Sequence, residues 1–208
     1  MTMYWFQCYF PCHIRLAAHP AVEPGWFLQG RSSIRVRLQL GGSSRDLALF
    51  NLAIDSRLRG CDLLSLRLRD VSHGSAIAKR AIVLQQKTGT PVQFELSEIT
   101  RRAVASWASQ AQIASAAYLF PGKTKVASHL STKQYARIVA SWVTSIGLDR
   151  HNYGTHSMRR TKASLIYRRT KNLRAVQILL GHTKLESTVR YLGIEVEDAL
   201  EMAEQTEA

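Results

Sequence analysis

The chain has 208 residues, 46% of them hydrophobic, and its 28 Lys and Arg outnumber 15 Asp and Glu to give a net charge of +13. That length suits one domain, or one domain with a short extension, and the composition excludes a disordered chain. No run of about 18 apolar residues occurs, so no membrane-spanning helix is expected.

The charge is lopsided. Glu195, Glu197, Asp198, Glu201, Glu204 and Glu207 follow Tyr191 with no Lys or Arg among them, so residues 1–190 hold 28 basic against 9 acidic residues, net +19. A basic body with an acidic tail points to a polyanionic partner, most simply nucleic acid. Cys8, Cys12 and Cys61 form no disulfide framework, which fits a reducing compartment. Cys8, Cys12 and His13 lack a fourth ligand, so no metal site is read there.

Residues 1–31 are aromatic at first and then broken by Pro20, Pro24 and Gly25; they lack the basic start of a secretory signal and receive no function. From Ile34 to Leu40, apolar residues alternate with Arg35, Arg37 and Gln39, the period of a strand, although Arg-Leu-Gln-Leu can equally open a helix. Gly41 to Ser44 is a break. Asp46–Ser56 reads as a buried helix, and RLRGCDLLSLRLRDV as a second helix running into a strand. Ile77, Ile82–Leu84 and Val92–Leu96 flank the Gly89 turn and predict a hairpin with Lys87 at its tip. Helices follow over Ser97–Ala117, Ser131–Ile146, Thr155–Arg169 and Asn172–Leu180, with Thr155 as a helix cap. A short amphipathic helix over 195–205 closes the chain, apolar through Leu200, Met202 and Ala203 and acidic outside.

Reactive groups concentrate between His151 and Tyr191. His156 and Arg159 lie three apart and share a helix face near a positive helix start, where an anion binds well. Eight Lys and Arg fall between Arg150 and Arg174 without one acid, and Arg160, Lys162, Arg168, Arg169 and Lys171 are candidate phosphate contacts. Each position has a bland reading as well: a solvated basic face, a capping histidine at His182, a half-buried aromatic at Tyr191, a solubilising lysine at Lys87. A tyrosine hydroxyl attacks only when a base takes its proton and cations stabilise the developing charge.

The order of these groups resembles the catalytic domain of tyrosine site-specific recombinases, the phage integrase family, from about Ser32 to the C-terminus. RLRGCDLLSLRLRDV resembles the first arginine box and implies a catalytic Arg59 with Asp62 in support. IVLQQKTGTPVQFEL resembles the segment bearing the catalytic lysine, Lys87. HSMRR corresponds to His156 and Arg159, and LLGHTKLESTVRYL to His182 and the nucleophile Tyr191. The chain departs from the family where Ser56-Arg57 replaces a small Thr-Gly pair and where Gly60 and Cys61 replace a bulkier residue and a serine.

The resemblance implies an α+β fold, mostly helical with a small antiparallel β-sheet. It also implies DNA cleavage and rejoining through a 3′-phosphotyrosyl link, with no cofactor and no metal. The partner would be double-stranded DNA, bound by a homo-oligomer in a tetrameric synapse, in the cytoplasm of a bacterium carrying a mobile element. Residues 32–208 would form the catalytic domain, and residues 1–31 are too short to supply the helical core-binding domain, of about a hundred residues, that usually precedes it. Two further readings stand beside this one: a truncated or non-catalytic DNA-binding module, and a type IB topoisomerase-like enzyme that relaxes DNA without a partner duplex.

Overall fold

The computed structural model describes residues 30–122 and 128–194, together with Leu200 and Glu204. The N-terminal segment, with Cys8, Cys12 and His13, lies outside the described residues apart from Gly30 and Arg31. So does the expected helix over 195–205, apart from Leu200 and Glu204, which are both helical. Among the described residues no helix is long and apolar enough to cross a membrane.

The core is organised around α2 (Ser44–Ser56), in which every residue from Ala48 to Ser56 is buried. A helix apolar on all sides must be covered on all sides. Around it pack α1 (Arg31–Leu40), α5 (Glu98–Gln110) and α7 (Thr155–Thr170). Phe50 meets Trp142 of α6 (Thr132–Ser145) edge to face at 5.6 Å between centroids, and the Trp142 indole N–H donates to Asp46 Oδ2 at 3.3 Å.

The alternating stretch Ile34–Leu40 is helical. Ile34 and Leu38, four apart, turn to the core, while Val36 and Leu40 stay 51% and 85% exposed. Arg35 Nε donates to Asn51 Oδ1 of α2 at 2.8 Å and Arg37 Nη1 donates to Ser145 O of α6, so the two basic positions of the alternation are tied to neighbouring helices. The two-residue period is coincidental: the four-residue spacing is the one that burial follows.

After α2 the chain makes two short helices, α3 (Gly60–Leu64) and α4 (Leu68–Val71), and a small hairpin of β1 (Ser72–His73) and β2 (Ala76–Ile77). The predicted hairpin forms from β3 (Arg80–Leu84) and β4 (Pro91–Glu95), antiparallel, with Ala81 opposite Phe94 and Val83 opposite Val92. Its inner face carries Ala81, Val92 and Phe94, all buried, while Ile82 and Leu84 point outward. Helix α5 starts as expected, with the Ser97 hydroxyl accepting from Thr100 N, but it ends at Gln110 instead of Ala117. Gln112 takes a left-handed φ of 50°, and the chain then runs back along α4: Arg69 N donates to Ser115 O at 2.9 Å and Leu68 N to Ala117 O at 3.1 Å.

The last three helices are α7, α8 (Leu173–Leu180) and α9 (Leu185–Leu192). The N-cap of α7 is Gly154, one residue before the expected Thr155. Met158 of α7 joins the main core and the partly buried Leu165 packs against it; Ala163, Val176 and Leu180 form a separate small cluster covered by Ile166, Tyr167, Tyr191 and Leu192. The result is the expected fold class, mostly helical with small antiparallel sheets.

Candidate active site

Four segments converge at one surface. Arg59 caps α3 in an extended conformation, so its side chain leaves the helix start and reaches the hairpin, where Nη1 donates to Gln85 Oε1. Gln85 is buried and works in three directions. It also accepts from Thr88 Oγ1 at 3.0 Å and donates from Nε2 to Leu180 O at 3.3 Å. Nothing in the local pattern of the hairpin marks Gln85 for this role.

Leu180 O receives a second donor, Arg159 Nη2 at 2.9 Å, while Arg159 Nε donates to Arg57 O at 2.6 Å. The two backbone carbonyls fix the plane of a buried guanidinium and leave Nη1 without a hydrogen-bond partner among the described residues. Gly181 makes this junction possible. Its φ of +66° ends α8, and a Cβ there would come within 2.5 Å of Val92 Cγ2 and 3.1 Å of Gln85 Nε2. The Leu-Gly-His turn is therefore both a helix stop and the place where α8 presses on the hairpin.

Tyr191 lies in the last turn of α9, under the guanidiniums of Arg159 at 5.5 Å and Arg160 at 5.4 Å from its ring centroid. His182 meets the same ring edge to face at 5.5 Å. The Tyr191 hydroxyl donates to the main-chain carbonyl of His156 at 3.4 Å, so in this arrangement it rests on the backbone of His156 and not on its imidazole. Burial pushes the Tyr191 phenol up to about 12, against the pull of Arg159, Arg160 and Arg59. It is a protonated hydroxyl at neutral pH that needs a base.

Both histidines are held neutral. Loss of water and the charges of Arg159 and Arg59 bring His182 down to about 4, and loss of water with Arg159 and Arg160 lowers His156. His182 Nδ1 shares a hydrogen bond with the buried Thr188 hydroxyl at 3.0 Å. With Thr188 as donor, Nε2 carries the proton and can itself donate.

Lys87 stays apart from this cluster, exposed on the hairpin turn. Its turn is nonetheless anchored: Gln86 N donates to Asp62 Oδ1 at 2.9 Å, and Gln85, two residues before Lys87, holds Arg59. Asp62 is buried and its Oδ2 has no hydrogen-bond partner among the described residues. It links the start of α3 to the lysine's turn.

The candidate phosphate contacts divide. Arg160 lies over Tyr191, and Lys171, at the left-handed end of α7, lies over Tyr167 at 5.8 Å. Arg168, Arg169 and Lys171 are exposed. Lys162 turns inward: Nζ sits 2.8 Å from Asp55 Oδ1 and 2.6 Å from Glu95 Oε1, which removes it from the exposed basic face it was read with. Glu95 also grips Arg57, Nη1 to Oε1 at 3.0 Å and Nη2 to Oε2 at 3.1 Å. Arg57 adopts φ 55°, a left-handed backbone that costs a non-glycine residue roughly 1–2 kcal/mol.

The profile of the Phage integrase family matches residues 40–197. A probable integrase/recombinase, YoeC of Bacillus subtilis, is 28% identical over 156 residues, covering 75% of this chain and 81% of the relative. Tyrosine recombinase XerC of Neisseria gonorrhoeae is 30% identical over 159 residues, covering 73% of this chain and 48% of the relative. Among solved structures, XerA recombinase superposes with a TM-score of 0.68 at 18% identity over 85% of this chain and 62% of that one. XerH recombinase in a pre-cleavage complex with its difH substrate gives 0.66 at 17% identity, over 89% of this chain and 54% of that one. The chain spans about half the length of the XerC relative.

Proposed function

The chain belongs to the phage integrase family, and from that premise we propose that it cleaves and rejoins double-stranded DNA in site-specific recombination, with Tyr191 as nucleophile. The observation that carries the reading is the convergence on one phenol ring of Arg159 and Arg160 from α7 and of His182 from the turn after α8, with Arg59 joined to Arg159 through Gln85 and the Leu180 carbonyl.

A phosphodiester resists attack because its charge repels nucleophiles and its alkoxide leaves poorly. Arg59 and Arg159 bind the two non-bridging oxygens and offset the charge that grows on them, and neutral His182 adds a hydrogen bond. Tyr191 attacks phosphorus in line, its proton passing to neutral His156 after the hydroxyl leaves the His156 carbonyl. The bond to the 5′ oxygen breaks and Lys87, brought in with the DNA, protonates that oxygen. The 3′-phosphotyrosyl link conserves the bond, and a 5′ hydroxyl of a partner strand reverses the step. Asp62 supports Arg59 and the lysine's turn without reacting.

Residues 32–208 act as the catalytic domain, with residues 1–31 unassigned, on duplex DNA in a tetrameric synapse in the bacterial cytoplasm. Arg168, Arg169 and Lys171 supply phosphate contacts on the exposed end of α7.

Incubation with a nicked suicide DNA duplex and separation on a denaturing gel tests this directly. A covalent protein–DNA adduct is expected from the wild type and none from Tyr191→Phe. An adduct that survives Tyr191→Phe refutes the assignment of the nucleophile. Relaxation of supercoiled plasmid without recombinant products assigns the topoisomerase-like activity instead.

A further inference from the structure

Arg57 stands outside the reacting groups, yet its backbone carbonyl is what Arg159 Nε bonds, at 2.6 Å. Its conformation is one that glycine adopts freely and arginine does not, φ 55° and ψ 20°. Its side chain is fully buried (0% exposed) and ends on Glu95 through two parallel N–H to oxygen contacts, the geometry that fixes direction as well as distance. Glu95 is fixed in turn by Lys162, which Asp55 holds from the other side, and Asp55 also accepts from Ser97 N at 2.8 Å.

We propose that Arg57 is a positioning residue for Arg159: the Asp55–Lys162–Glu95 chain clamps the Arg57 side chain, and the clamp holds the left-handed turn that aims the Arg57 carbonyl at Arg159 Nε. An unclamped residue at this junction of α2 and α3 samples other backbone conformations, and its carbonyl swings away from the guanidinium. With Nε fixed at Arg57 O and Nη2 at Leu180 O, the remaining edge of Arg159 faces the position of the scissile phosphate. The inference deepens the reading of Arg159 as a phosphate-binding group and rests on it for the catalytic consequence, though not for the geometry.

The informative variant is Arg57→Gly, because glycine accepts the backbone angles and keeps the carbonyl while removing the clamp. Solvent exchange of the Arg159 Nε–H is measured by NMR on the full ¹⁵N-labelled chain without DNA, the resonance being assigned by its loss in Arg159→Lys. Exchange is expected to be at least about tenfold faster in Arg57→Gly than in wild type. Unchanged exchange in a variant whose amide spectrum shows an intact fold overturns the proposal. If Arg57→Gly does not fold, Glu95→Gln, which keeps one accepting oxygen but loses the second and the charge, is read the same way.

Single-turnover adduct formation on the nicked duplex supplies the second readout. Arg57→Gly is expected to cleave about tenfold more slowly at unchanged DNA affinity, and to cause no further loss when added to Arg159→Lys, since coupled residues are not additive. Equal losses in the two backgrounds overturn the coupling. A wild-type chain that forms no adduct, while the exchange contrast is present, refutes the recombinase reading and upholds the positioning of Arg159.

Discussion

Arg159 and Lys162 sit one turn apart on α7, and the fold treats their charges in opposite ways. Lys162 is held between Asp55 and Glu95. Arg159 meets two neutral carbonyls and has Arg59 and Arg160 for company, with Asp62 as the carboxylate that faces it. A buried charge with a matched partner belongs to the architecture, because removing the partner strands the other ion. A cluster of cations oriented by dipoles, and short of anions, is organised for a negative group that arrives from outside. One helix thus carries a completed electrostatic pair and an incomplete one within four residues.

The largest expected effect comes from the incomplete side. Arg159→Ala should slow adduct formation by about 100- to 1000-fold, the range found when one preorganised donor to a developing charge is removed. Single-turnover gels read the rate and filter binding reads the affinity; a rate within tenfold of wild type would dissolve the contrast between the two residues.

On the completed side the loss should be in stability. Lys162→Ala leaves Asp55 and Glu95 without their shared cation and should cost about 2 kcal/mol in urea unfolding. That is less than the roughly 3–5 kcal/mol of a fully buried pair, because Glu95 is 44% exposed. Its effect on the salt dependence of DNA binding should be close to nil, unlike that of an exposed phosphate-contacting cation, and a clear change in slope would place Lys162 with the contacts after all.

The smallest effect is a matter of pH. Partial burial pushes the Glu95 carboxyl up, but hydrogen bonds and charges from Arg57 and Lys162 outweigh it and bring it down to about 2 from the ordinary 4.5. A depressed carboxylate contributes stability that is present above pH 4.5 and is lost as pH falls from there toward 2. Urea midpoints should therefore fall more steeply for wild type than for Glu95→Gln between pH 5 and pH 3. Parallel curves would show that Glu95 is not the carboxylate that secures Arg57.

Much of the site was legible in the sequence because its final part is local. His156, Arg159, His182 and Tyr191 follow one another along α7, the Gly181 turn and α9 in short motifs that resemble the family's, although spacing alone joins only His156 and Arg159 on one helix face. The hairpin was legible for the same reason, two apolar runs around Gly89. Long-range contacts were not. Gln85 looks like any hairpin glutamine until Leu180, 95 residues away, is brought against it. Lys162 was grouped with the phosphate contacts because α7 is basic along much of its length, so periodicity does not tell which cation turns toward Asp55, 107 residues earlier. The helix over Arg31–Leu40 was ambiguous because Ile34 and Leu38 satisfy a two-residue and a four-residue spacing at once. Only packing against α2 decides between them.

The division of the apolar core into two unequal clusters bears on motion. The helix carrying Tyr191 is fastened by a satellite of three buried residues, Ala163, Val176 and Leu180, while Arg59 is rooted beside the main core. Segments with few buried apolar contacts open at a lower free energy than the whole molecule does. Under the proposed mechanism, local opening of α9 releases and returns Tyr191 while Arg59, rooted beside the main core, stays folded.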